Sequence, residues 1–165
     1  MQQFNSLRVL ALAVLPMPLL LGLALWFVLQ GVDGSTMAHV PSILLVVGVA
    51  VAALALILAI GYRGAPFRQG VPPHVAVERG ARVFQSTAFM RMALSELPML
   101  VGLALAFVAG EGGLITYAVG AAATLLLLLL HFLPNATQVR KVQESLERQG
   151  ARVPLLDAFH GQPVA

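Results

Sequence analysis

Glu96 is the residue of this sequence whose type and position most favour a chemical role. It is the single charged residue in the apolar stretch from Met92 to Gly110. If the membrane helix containing it begins near Ala88, Glu96 lies roughly 10–12 Å deep, at about 1.5 Å per residue. A carboxylate at that depth is costly unless it faces water or another helix, and it often belongs to a proton or ion path. Two roles stay open: a proton- or cation-binding group, and a buried polar contact that fixes helix packing.

Three basic residues are candidate partners for this carboxylate. Arg91 lies on the same helix but about 140° round it from Glu96, so a partner on another helix fits better. Arg8 and His131 are the candidates there. His131 ends the fourth apolar segment, which should pack against the third after a short turn, and it could exchange protons with Glu96. The alternative is an ordinary histidine at the membrane interface.

The rest of the sequence offers no second reactive cluster. It contains no cysteine, which excludes disulfides, thiolate metal sites and cysteine nucleophiles. No two of its four histidines are spaced i,i+4, so we expect no metal site. Phosphate-binding loops, nucleophile elbows and paired carboxylates are missing as well. The sequence therefore predicts a protein that needs no cofactor and is not an enzyme.

Composition identifies the class of protein that must hold these residues in place. Charged residues make up 10% of the chain, against about a quarter in soluble proteins. Four apolar segments are long enough to cross a bilayer as helices, at about residues 9–30, 41–62, 88–109 and 114–133. We predict an all-α membrane protein with four transmembrane helices, in which residues 1–134 form the transmembrane domain and residues 135–165 a cytoplasmic tail.

The first apolar segment could also be a cleaved signal peptide. Its uncharged run from Val9 to Gln30 is longer than the apolar core of about 7–15 residues that such peptides carry. We therefore expect it to be retained as a span. Pro16 and Pro18 should kink it near Leu15, because proline removes a backbone donor and clashes with the preceding turn.

The basic residues predict which way the bundle faces. With four spans, the N-terminus, the loop at 63–87 and the tail share one side, while the loops at 31–40 and 110–113 share the other. The first side or its boundary holds all ten basic residues: Arg8, Arg63, Arg68, Arg79, Arg82, Arg91, Arg140, Lys141, Arg148 and Arg152. The second side carries Asp33 and Glu111. By the positive-inside rule both termini are cytoplasmic. The basic pI therefore does not indicate nucleic-acid binding, because these residues would lie against lipid headgroups.

Two further helices are expected on the cytoplasmic side. Past Pro73, apolar residues such as Val77 and Phe84 recur on one helical face, which indicates an amphipathic extension that runs into the third span. Residues 135–149 indicate a soluble tail helix, with Asn135 as its cap. A protein partner would reach the molecule through this loop and tail.

Small residues at helical spacing predict close helix packing in the membrane. Gly48 and Ala52 form one such stripe in the second span, and Gly102 and Ala106 form another in the third. Residues without bulky side chains let two helix backbones approach closely. The stripes could mate with each other, or with a second copy of the protein in a homo-oligomer.

Two resemblances bear on function. The segment Arg91-Met-Ala-Leu-Ser-Glu-Leu-Pro-Met-Leu-Val-Gly-Leu-Ala-Leu-Ala106 resembles the carboxylate-bearing helix of the rotary ATPase proteolipids, the subunit c family. That resemblance implies that Glu96 binds a transported proton or sodium ion. It covers only residues 91–110, and Pro98 and the long 63–87 loop depart from the family pattern. Over nearly its full length the chain resembles uncharacterised small bacterial four-helix inner-membrane proteins, a group without an assigned activity.

These observations favour an accessory or scaffold protein of the bacterial inner (plasma) membrane. Nine of the ten basic residues are Arg, a bias typical of GC-rich bacterial genomes. The alternative function is proton or cation handling through Glu96, and a membrane enzyme ranks third because clustered acids and histidines are missing.

Overall fold

Helices make up the regular structure of the described part of the chain. The computed structural model describes residues 2–29, 39–108 and 112–162. In chain order the elements are α1 (Gln2–Val14), α2 (Met17–Leu29), α3 (Val40–Ile60), α4 (Pro73–Val108), α5 (Gly113–His131), α6 (Ala136–Leu146), a 3₁₀ turn (Glu147–Gln149) and α7 (Leu155–His160). Asp33 and Glu111, on the two predicted outer loops, lie outside the described residues.

Four helical segments are long and apolar enough to cross a membrane. They are Ser6–Leu29, Val40–Ile60, Pro73–Val108 and Gly113–His131. Large apolar side chains remain exposed along them, among them Phe27 on α2 and Val51 on α3. Soluble monomers rarely expose contiguous apolar surface on this scale, whereas lipid covers it without cost. By length and composition the chain is a four-span, multi-pass membrane protein, as the sequence predicts.

The first span, Ser6–Leu29, contains most of α1 and all of α2, and it begins earlier than the predicted residue 9. α1 starts at Gln2 and ends at Val14, and α2 starts at Met17, so the expected kink near Leu15 is a break between helices. Pro16 has no backbone N–H, so it cannot donate the hydrogen bond that would continue α1. Its carbonyl oxygen accepts hydrogen bonds from backbone amides in the first turn of α2. Further along, the Tyr117 hydroxyl of α5 donates a 2.6 Å hydrogen bond to the Pro18 carbonyl and ties α2 to α5.

The predicted extension and the third span form one helix of 36 residues, α4. At about 1.5 Å per residue it is about 54 Å long, which exceeds the roughly 30 Å hydrocarbon core, so its first part projects from the membrane. Pro98 does not end the helix. The Met99 amide beside it donates a 3.1 Å hydrogen bond to the Thr124 hydroxyl of α5. A neighbouring helix thus supplies polar contacts where the proline disturbs the backbone.

Glycines set the close contact between α4 and α5. A Cβ added at Gly120 would collide with the carbonyl oxygen of Pro98, and one added at Gly102 would lie 3.2 Å from the Thr116 carbonyl oxygen. Gly102 and Ala106 are both buried on this interface. The other predicted stripe lies differently: Gly48 and Ala52 are exposed, and nothing lies within 4 Å of a Cβ added at Gly48.

The tail packs against two parts of the chain: the link between α3 and α4, and the projecting part of α4. The Phe67 amide donates to the Leu146 carbonyl at 2.9 Å, and the Gly64 amide donates to the Ser145 hydroxyl at 2.9 Å. Gly80 lets the tail approach, since a Cβ there would lie 3.2 Å from Val153 Cγ1. A shared apolar core results, with these residues fully buried: Phe84, Val139, Val142, Leu146, Val153 and Leu155. We call the unit formed by residues 61–87 and 132–162 the cap.

The cap lies at the end of the bundle where α1 begins. Arg8 of α1 places its guanidinium carbon 5.6 Å from the centre of the Phe159 ring in α7. The N-terminal helix, the 61–72 link and the tail therefore meet at one face of the molecule.

Asn135 caps α6 as predicted, because its side-chain oxygen accepts a 2.9 Å hydrogen bond from the Gln138 amide.

Gly120→Ala should lower the free energy of unfolding by about 1–3 kcal/mol, because overpacking the α4–α5 contact outweighs the helix propensity that alanine adds. Gly48→Ala is the matched control and should leave stability unchanged or slightly higher, since its Cβ meets open space. Thermal unfolding of the purified protein in detergent measures both. Equal stability of the two variants would contradict the close contact.

Candidate functional site

Arg91 is a charged side chain with no exposed surface, although it lies within α4 of a membrane protein. Its Nη1 donates a 2.7 Å hydrogen bond to the Gly61 carbonyl at the end of α3. Its Nε donates a 2.8 Å hydrogen bond to the carbonyl of His131, the last residue of α5. Carbonyls at helix C-termini lack partners within their helix and carry partial negative charge. One guanidinium thus satisfies two helix ends at once.

Two aromatic rings complete the surroundings of this guanidinium. Its central carbon lies 4.5 Å from the centre of the Tyr62 ring and 5.5 Å from that of Phe84. Aromatic faces attract cations, and the attraction is stronger away from water. Nη2 is buried without a hydrogen-bond partner in the described part of the chain, so the rings supply what stabilisation it receives there. We call Arg91, Gly61, Tyr62, Phe84 and His131 the Arg91 clamp.

A second polar contact within the clamp joins α3 to α5. The Tyr62 hydroxyl and His131 Nδ1 lie 2.8 Å apart, in hydrogen-bond contact. Burial raises the pKa of Tyr62 above its usual value of 10.0, and the charge of Arg91 opposes that rise only in part. The neutral phenol is thus favoured in the fold. Its contribution to stability is full below pH 10 and is lost as the pH rises through the higher pKa of the folded state.

Glu96 lies half-buried on α4, between the buried Ser95 and the exposed Leu97. Within the described residues it makes no hydrogen bond and no ion pair. The structure does not bring it to its proposed partners. His131 contacts Tyr62, and Arg91 donates to carbonyls at two helix ends. The guanidinium of Arg8 lies against an aromatic ring of α7. Glu96 is therefore a carboxyl inside a membrane span that has no partner among the residues that the structure describes.

The sequence alone does not predict the role of Arg91, because its position suggests only a charge at the edge of a span or a partner for Glu96. Two features of the sequence point to a buried contact. Arg91 stands between apolar residues, and small hydroxyl residues, Thr87 and Ser95, lie one turn before and after it on the same face. Such a face suits a buried polar contact between helices. Neither feature predicts which carbonyl groups accept hydrogen bonds from the guanidinium.

The described residues contain no group of three His, Asp or Glu side chains arranged to hold a metal ion. No family model, curated protein or solved structure matches the chain. What its structure identifies is a four-span helical membrane protein. Among the described residues, two polar features lie on or beside the spans: the Glu96 carboxyl, and a cluster of cations and aromatic rings where the bundle meets the cap.

Arg91→Lys should lower the free energy of unfolding by about 1.5–3 kcal/mol, because a lysine ammonium loses at least one of the two charged hydrogen bonds. The exposed Arg79→Lys is the control and should change stability by less than about 0.5 kcal/mol. Chemical unfolding in detergent, followed by circular dichroism, measures the difference. Equal stability of the two variants would show that the clamp contributes little.

Proposed function

We propose that this protein is a non-enzymatic accessory or scaffold protein of the bacterial inner (plasma) membrane, with both termini in the cytoplasm. In this role the cap presents a docking surface to a cytoplasmic partner. The observation that carries the proposal is the cap itself. Its buried core, with Phe84, Leu146 and Leu155 at the centre, fixes the tail to α4 instead of leaving it as a loose extension.

The charge distribution supports the orientation. Arg8 on α1, Arg63 on the link and Lys141 on α6 all belong to the face that carries the cap. Basic residues near the ends of spans favour the cytoplasmic side. With four spans and the N-terminal helix in contact with α7, both termini follow the cap to that side.

The exposed surface of the cap is basic. Arg68 and Arg79 are exposed and pair with no acidic group among the described residues. A partner that presents acidic side chains would complement them and would be steered to them at low salt. The partner proposed here is therefore a protein with an acidic surface, bound through the cap.

Arg68→Glu combined with Arg79→Glu should abolish stoichiometric co-purification of such a partner from gently solubilised native membranes, because like charges would then face each other. Glu111→Lys, on the loop assigned to the opposite side, is the control and should retain the partner. The double variant should unfold at the temperature of the wild type, since both residues are exposed. Wild-type protein that purifies without a stoichiometric partner, or a double variant that retains one, would overturn the accessory role.

A second candidate function, proton or cation handling, rests on Glu96. A carboxyl half-buried in a membrane span without a partner among the described residues is costly to maintain, and such groups commonly serve ion or proton paths. This function would use Glu96 as the binding group, with protonation or a bound cation compensating its charge.

Glu96→Gln in proteoliposomes should then reduce proton or sodium flux to the level of protein-free vesicles. Glu78→Gln, also on α4 but in an exposed surface pair with Arg82, should leave the flux unchanged. Flux that is equal in the wild type and in Glu96→Gln, or missing from both, would remove this candidate. A Glu96→Gln variant that only changes stability or assembly would assign the carboxyl to helix packing.

A further inference from the structure

A pocket of about 400 Å³ lies beside the Arg91 clamp, where the end of α3 meets α6. Arg63 lines it from the link, and Lys141 and Arg148 line it from the tail. All three are exposed, and none of them pairs with an acidic side chain in the described part of the chain. Glu144, the one acidic residue in the lining, is paired with Arg140 at 3.6 Å. The pocket therefore carries a net positive charge.

The fold holds these three cations at one place. The Gly64 amide is bonded to the Ser145 hydroxyl, which fixes the residue before it, Arg63, against α6. Lys141 and Ser145 are four residues apart on α6, and Arg148 follows within the next turn on the same side. The cations thus come from two separate chain segments joined by a partly buried hydrogen bond. A cluster of this kind suits an anion with several acceptor oxygens.

Tyr62 forms part of the wall of the pocket. Its ring lies 4.8 Å from Lys141 Nζ, and its hydroxyl is already bonded to His131. The aromatic face therefore orients the lysine without consuming the positive charge. The ammonium and the two guanidinium groups stay available as donors to a ligand.

The position of the pocket relative to the membrane points to the source of the anion. The 21 residues of α3 match the roughly 30 Å hydrocarbon thickness at about 1.5 Å per residue, so Ile60 marks the edge of the apolar core. Leu58 lines the pocket just inside this edge and is 56% exposed, whereas Arg63 lies just outside it. The pocket thus has an apolar side facing the acyl chains and a cationic side at the depth of the headgroups.

We propose that this pocket binds the phosphate group of an anionic phospholipid, with Arg63, Lys141 and Arg148 around the phosphate and an acyl chain along Leu58. A zwitterionic lipid such as phosphatidylcholine carries the same phosphate, but its choline cation would be repelled by the three basic side chains. Free inorganic phosphate would meet the cations without the apolar contact to Leu58. Specific binding of an anionic lipid would couple the cap to the composition of the adjacent leaflet. The site does not depend on the accessory role or on Glu96.

The test compares two triple variants of equal net charge. The pocket variant carries Arg63→Gln, Lys141→Gln and Arg148→Gln, and the control carries Arg68→Gln, Arg79→Gln and Arg152→Gln at exposed residues away from the pocket. Native mass spectrometry from detergent, titrated with phosphatidylglycerol or phosphatidylcholine, gives the affinity of each lipid. Addition of millimolar inorganic phosphate to the phosphatidylglycerol complex tests the soluble source. Arg63→Gln with Arg148→Gln, which keeps the contact of Lys141 with Tyr62, serves as a second pocket variant.

The wild type and the control should retain one phosphatidylglycerol in preference to phosphatidylcholine. The pocket variant should bind phosphatidylglycerol roughly 100-fold more weakly, at about fivefold per cation removed, and the double variant about 25-fold more weakly. Inorganic phosphate should leave the lipid bound. Equal losses in the pocket and control variants would show non-specific attraction by net charge and overturn the site. Displacement of the lipid by inorganic phosphate would overturn the lipid as the ligand.

Discussion

The guanidinium of Arg91 is the contact on which the arrangement of this protein depends. It is fully buried, and its hydrogen bonds go to the Gly61 and His131 carbonyls at the ends of α3 and α5. A buried charge without compensation would cost several kcal/mol. Here the compensation comes from the partial negative charge of two helix C-termini and from the faces of Tyr62 and Phe84. Because the carbonyls that end α3 and α5 both bind this one side chain of α4, the three helices are fixed at the same height relative to one another.

The relative height of these helices also positions the link and the tail in the cap. The chain leaves α3 beside the clamp, so the link can pair with α6 through the Gly64 and Phe67 amides. The same pairing brings Arg63 to the tail and creates the basic pocket. Phe84 serves both the clamp and the core of the cap. The membrane bundle and the cap are therefore one packing unit, and a substitution in the Arg91 clamp should destabilise both.

Much of this fold could be predicted from the sequence because its signals are local. Span lengths follow from apolar runs, and the Asn135 cap follows from its side chain. The prolines of the first span predict a kink near Leu15, which the structure shows as a break between α1 and α2. The clamp could not be predicted in the same way. Arg91 meets carbonyls 30 and 40 residues away along the chain, and those contacts depend on how each helix is rotated. For the same reason the sequence left His131 as one of several candidate partners for Glu96, whereas in the structure its ring contacts Tyr62.

Amide hydrogen exchange of the full chain in lipid nanodiscs tests most directly whether the cap is a folded part of the membrane protein. The Gly64 and Phe67 amides lie in an irregular link, yet both are hydrogen-bonded to the tail. They should exchange as slowly as the amides of α6, because all of them open only when the cap unfolds. Exchange of the link amides at the rate of an unstructured peptide, with α6 protected or not, would contradict a cap held together by these contacts.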